Sequence, residues 1–208
     1  MTRIDLFEGA ITASGFTSGH SVVVGAWARS PLGPFIDVMW RDPDGVRRLL
    51  APSPEVARYV ADLYRFDEVQ VVDVRGGLRG DELALAAGPL EVRAELAPRD
   101  WRSWLFALRP RALRRAPTWI GIEDRLARPV VGLVLGGGAA VRTTGVAPGG
   151  QREWYGADDW RKLADASLAV EGVDAGAMAA MPADFGVGLS AFPTVPASVR
   201  LGTLIAAR

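Results

Sequence analysis

A chain of 208 residues, 49% hydrophobic and 23% charged, holds enough apolar surface for one large domain with a full core. Its formal net charge is zero, so bulk electrostatics give no case for nucleic acid as a partner. It has no cysteine and one histidine, which excludes disulfides, thiol nucleophiles and the usual three-ligand zinc sets.

The N-terminal run MTRIDLFEGA carries Asp5 and Glu8, which a secretory leader would not. No apolar run approaches the roughly 18 residues that a spanning helix needs. The expected location is cytoplasmic, with peripheral membrane contact raised by one segment below. The basic residues are 23 arginines and Lys162. That bias fits GC-rich coding and reduces the weight of any one arginine.

Ile4–Ala13 reads as the first strand. Three strands should follow the loop 14–19: Ser21–Ala28, Gly33–Arg41 and Val46–Ala51. Ser30-Pro31-Leu32-Gly33 and Asp42-Pro43-Asp44-Gly45 supply the turns, with Pro presetting φ and Gly accepting positive φ. The second and third strands are apolar on both faces, so both faces are covered or one lines a dry cavity. Ser53–Arg65 reads as a helix packed over the sheet. Ser53 caps it, Pro54 suits its first position, and Val56, Val60 and Leu63 form its stripe.

Strands are expected at Glu68–Val74, Glu82–Ala87 and Leu90–Leu96, the last alternating cleanly between apolar and charged. Residues 101–128 read as a helical insertion. A short strand at Ala140–Thr144 and further strands at Glu153–Tyr155, Arg161–Val170 and Val199–Ala206 complete the chain. The expected fold is α+β, mostly antiparallel: a barrel or strongly bent sheet of about eight to ten strands with one packed helix, in a single domain spanning 1–208.

Asp37 interrupts an apolar strand. A carboxylate in a dry site is paired, hydrogen-bonded or protonated, and such groups concentrate at functional sites. The ordinary alternative is a structural ion pair with an arginine. Glu8 has the same ambiguity, and the two would form a coupled acid/base pair if they faced one cavity. His20 is a third catalytic candidate, although a lone loop histidine is usually just solvated. Gly136-Gly137-Gly138 lacks the third glycine and the long helix of a dinucleotide turn, so no cofactor is implied.

Trp27, Phe35 and Trp40, with Arg29 at the strand end and Trp154 and Tyr155 later, are the candidate lining of a ligand cavity; a filled core is the other use of such rings. Between 101 and 122 the chain has five arginines and no acid, interleaved with Trp101, Trp104 and Trp119. Arg111, Arg114 and Arg115 are therefore the candidate contacts to an anionic membrane; a helical cap with solvated guanidinium groups is the plainer alternative.

The stretches TSGHSVVVGAWARSPLGPFIDVM and REWYGADD resemble those of an uncharacterised group of bacterial proteins from GC-rich genomes. That resemblance implies no activity. On architecture alone, acetoacetate-decarboxylase-like and lipocalin-like barrels compare, but the lysine-bearing motif of the decarboxylases is missing. The leading expectation is a protein that binds a small, largely apolar molecule inside a β-barrel. A cofactor-free isomerase, lyase or hydrolase using Asp37 or Glu8, and a scaffold with no pocket, are the alternatives. Nothing in the sequence sets an oligomeric state.

Overall fold

The computed structural model describes residues 3–107, 116, 120, 144–182, 185 and 194–206. Four strands open the chain: β1 (Ile4–Phe16), β2 (Ser21–Arg29), β3 (Phe35–Arg41) and β4 (Arg47–Ala51). The turn chemistry acts as the sequence implies. Gly45 has φ +89° and donates to Asp42 O at 3.0 Å, closing the turn between β3 and β4.

Helix α1 (Pro54–Leu63) follows, with Ser53 Oγ accepting from Val56 N at 3.3 Å. It leads to β5 (Glu68–Val71), which pairs with β4 in parallel. Then come β6 (Val74–Arg79), β7 (Glu82–Ala87) and β8 (Leu90–Leu96), a meander, and α2 (Trp101–Ala107). The short β9 (Thr144–Val146) precedes β10 (Arg152–Val170). The stubs β11 (Val173–Asp174) and β12 (Met178–Ala179) precede the last strand, β13 (Ala197–Ala206).

One sheet connects all the described strands in the order β5-β4-β3-β2-β1-β13-β10-β8-β7-β6, with β9, β11 and β12 alongside. The 19-residue β10 is the spine on which this sheet turns. Its first part, Glu153–Lys162, pairs with β13. Its second part, Leu163–Val170, pairs with β8, after a register shift between Leu163 and Asp165. The two leaves pack face to face. Val22, Val24, Val38 and Leu50 come from one leaf, and Leu83, Leu85, Val92 and Leu168 from the other.

The outer face of the first leaf is covered by α1. Val56, Val60 and Leu63 sit on Phe7, Phe35, Leu49 and Ile205, each buried side chain contributing about 1.5–3 kcal/mol. The two-sided apolar pattern of β2 and β3 thus records a sheet covered by its own second leaf on one side and by a helix on the other.

Two expectations are corrected. The sheet is not closed into a barrel: β5 and β6 remain as edges. β6 comes up to β3, where Ile36 Cδ1 lies 3.3 Å from the position a Cβ on Gly77 would occupy, but no backbone ladder joins them. Nor is the fold α+β. It is mostly β, a large mixed sheet with two short helices among the described residues.

Boundaries differ as well. The expected strand at 68–74 ends at Val71, and Val74 begins the next one. The strands expected at 153–155 and 161–170 are one. Of the helical insertion expected at 101–128, α2 is helical; residues 108–115, 117–119 and 121–128 lie outside the described residues, as do Gly136-Gly137-Gly138 and most of the strand expected at 140–144.

Candidate functional site

The gap that keeps the sheet open is an open cleft of about 1060 Å³. On one side stand β1, β2, β3 and β13; on the other stands β6. Its apolar surface comes from Trp27, Leu32, Phe35, Ile36, Val74 and Leu78. Its charged groups are Glu8, Arg29, Arg79, Asp158 and Arg200. The register explains how they converge. Glu8 opposes Arg29 on β2, where a bulge shifts the pairing between Glu8 and Gly9, and Arg200 opposes Ala10 on β13. Arg29 Nη1 lies 3.4 Å from Glu8 Oε2, a loose and exposed contact.

Asp37 is not part of this lining. It shares a strand face with Phe35 and Met39, under α1, and is 1% exposed. Glu8 alternates with Phe7, which also lies under α1, so Glu8 projects from the opposite face of the sheet. The two carboxyls do not face one cavity. Asp37 Oδ1 accepts from Trp27 Nε1 at 3.0 Å, directly over Gly25. A Cβ at residue 25 would sit 2.5 Å from that oxygen and 2.6 Å from that nitrogen, so glycine is what lets the pair close over the backbone. No cation faces Asp37 among the described residues. Burial pushes its pKa up to about 7, against the opposing pull of the Trp27 hydrogen bond. Trp27 is therefore shared: its edge holds Asp37 and its ring lines the cleft.

A second buried polar group lies under the same helix. Glu153 is fully buried. Tyr64 donates to its Oε1 at 3.0 Å and Tyr155 to its Oε2 at 2.7 Å, with the two hydroxyls 3.2 Å apart. Burial raises the Glu153 pKa, and the tyrosine donors moderate the rise. Both tyrosines are pushed well above the usual phenol range, burial again first and Glu153 adding to it. Nearby, Tyr59 donates to Asp5 Oδ2 at 3.1 Å.

The other candidates lie elsewhere. Trp40 packs between the leaves and donates from Nε1 to His20 Nδ1 at 3.1 Å. Burial lowers the His20 pKa, Asp42 opposing, and Nδ1 serves here as the hydrogen-bond acceptor. Neither residue lines the cleft. Trp154 alternates with Tyr155 and lies under the Arg152 guanidinium at 5.6 Å, away from the tyrosine–Glu153 group. Arg111, Arg114, Arg115 and Trp119 lie outside the described residues. Trp101 and Trp104 on α2 are 56% and 64% exposed. Among the described residues no group of three or more His, Asp or Glu could hold a metal ion, and no helix is long and apolar enough to cross a membrane.

Sequence reasoning misses Arg79, Asp158 and Arg200 because the cleft joins strands far apart in the chain. It also misses Tyr64 and Glu153, although the i, i+2 spacing of Glu153 and Tyr155 on a strand was a usable signal. The chain matches no family model and no curated protein.

Proposed function

We propose that the protein binds a small, largely apolar molecule in the open cleft between β6 and the β1–β2–β3 face. The observation that carries this reading is the cleft itself, about 1060 Å³ with Trp27, Phe35, Ile36 and Leu78 on its walls. Ordinary ligand sites occupy roughly 300–1,000 Å³ and are mostly apolar with a few polar groups. Asp37 serves this reading indirectly, by fixing the ring plane of Trp27.

The test is titration with the neutral fluorophore N-phenyl-1-naphthylamine. The parent protein is expected to bind it saturably. Ala28 is exposed and lines the cleft, so Ala28→Trp fills the space at small cost to folding. It should weaken binding by about tenfold or more. Absence of saturable binding by the parent protein refutes the reading.

Contact with an anionic membrane is a second reading, favoured by one observation: Trp101 and Trp104 expose large apolar rings beside Arg102. Co-sedimentation with anionic but not neutral vesicles, lost in a Trp101→Ser/Trp104→Ser variant, is its expected outcome. Equal binding to both vesicle types, or none to either, rejects it.

A further inference from the structure

The charged rim of the cleft is unevenly matched. Three arginines line it, Arg29, Arg79 and Arg200, against two acids, Glu8 and Asp158. The arginines are weakly engaged. Arg79 has no carboxylate partner among the described residues. Arg200 reaches Asp159 Oδ2 only at 3.9 Å, and that oxygen is already bound by Arg99 at 2.9 Å. Arg29 holds Glu8 loosely, at 3.4 Å, with its own side chain 83% exposed. A guanidinium offers five donors in a planar fork suited to carboxylate and phosphate oxygens. Donors left over at the edge of an apolar wall define a two-part site. Its floor takes a hydrocarbon body and its rim takes a negative head.

We infer that the ligand of this cleft is an amphiphilic anion, its apolar body lying against Trp27, Phe35 and Leu78 and its carboxylate or phosphate held by Arg79 and Arg200. This rests on the cleft being the binding site proposed above. The two arginines approach from opposite walls, Arg79 from the end of β6 and Arg200 from β13. A single head group would therefore bridge the two leaves where no strand pairing joins them. Such a bridge selects for an anion and discriminates against a cation of the same length.

Four probes with the same ten-carbon chain test this: decan-1-ol, decanoate, decyl phosphate and decylamine. Each competes against N-phenyl-1-naphthylamine at low salt and below its aggregation concentration. The anions are expected to displace the fluorophore at concentrations about tenfold below decan-1-ol, with decylamine the weakest. The larger anion advantage identifies the head group as carboxylate or phosphate. In Arg79→Gln/Arg200→Gln the advantage should shrink to about twofold or less while decan-1-ol is unaffected.

Equal competition by decan-1-ol and both anions in the parent protein overturns the inference and leaves the cleft reading standing. So does an anion preference that survives in the double variant. Failure of the fluorophore to bind at all overturns both. The comparison of decanoate with decylamine needs only the parent protein, so equal competition by the two overturns the inference even if the double variant does not fold.

Discussion

A carboxyl buried without a cation opposes folding once it ionises. For Asp37 the folded pKa is raised from 3.8 to about 7. Between these values the folded state binds more protons than the unfolded chain, so stability falls as pH rises through that window and levels off above it. Three units correspond to roughly 4 kcal/mol at 1.36 kcal/mol per unit. Asp37→Asn keeps an oxygen for Trp27 Nε1 and removes the charge. It is expected to flatten this pH dependence and to be more stable than the parent at pH 8 in urea unfolding. A parent protein equally stable relative to Asp37→Asn at pH 4 and pH 8 would show that the carboxyl is solvated. Glu153 shifts in the same direction but keeps two tyrosine donors. Tyr64→Phe removes one of them and should cost about 1–3 kcal/mol with Glu153 ionised and less at acid pH, as the carboxyl takes up its proton. Asp37 was legible in the sequence because it breaks an apolar run. Its separation from Glu8 was not, because a face assignment depends on alternation along two strands and on which partner covers each face.

Elements that turn the sheet depend on a few clamped residues. At the bend of β10, the Arg161 side chain is 9% exposed. It donates to Ala97 O at 2.7 Å, to Leu96 O at 3.2 Å, and to Asp81. These bonds tie the end of β8 and the turn before β7 to the strand on which both leaves meet. Arg161→Gln should cost about 2–4 kcal/mol, since it leaves two carbonyls and a carboxylate short of a charged donor. Asp81→Asn should cost clearly less than that, because the Asp81 side chain is 62% exposed and water replaces it. Chemical denaturation of both variants checks the order; equal losses would mean that Arg161 acts through Asp81 alone. The helix α1 was fully legible, with Ser53, Pro54 and the Val56–Val60–Leu63 stripe each marking it. The continuity of β10 was not. Gly156-Ala157-Asp158-Asp159 has the composition of a loop, and pairing with β13 draws it into the strand, with a register shift between Ala157 and Asp159.

At the scale of the whole molecule, local pattern underdetermines closure. Strands apolar on both faces suit a barrel lined by a core and a sheet folded over itself equally well, so β2 and β3 could not exclude a barrel. The deciding contacts are nonlocal, above all those of β13. Its Ala197–Ala206 pairs along its whole length with β1, from Ile4 to Ala13, and on its other side with Glu153–Lys162 of β10. The last described strand is thus central in the sheet, and without it no ladder among the described residues joins the β1–β5 side to the β10–β6 side. Loop closure between Ile4 and Ala206 is a large entropic cost that only the completed sheet offsets. A chain ending at residue 196 should therefore lose its cooperative unfolding transition altogether instead of retaining one leaf. Thermal melts followed by near-ultraviolet circular dichroism check this. Adding the peptide of residues 197–206 in trans should restore the transition, because its two edges supply the ladders to β1 and β10 that the truncated chain lacks. A truncated chain that still melts cooperatively would show that the β1–β5 leaf and its helix α1 fold by themselves, with the second leaf docking afterwards.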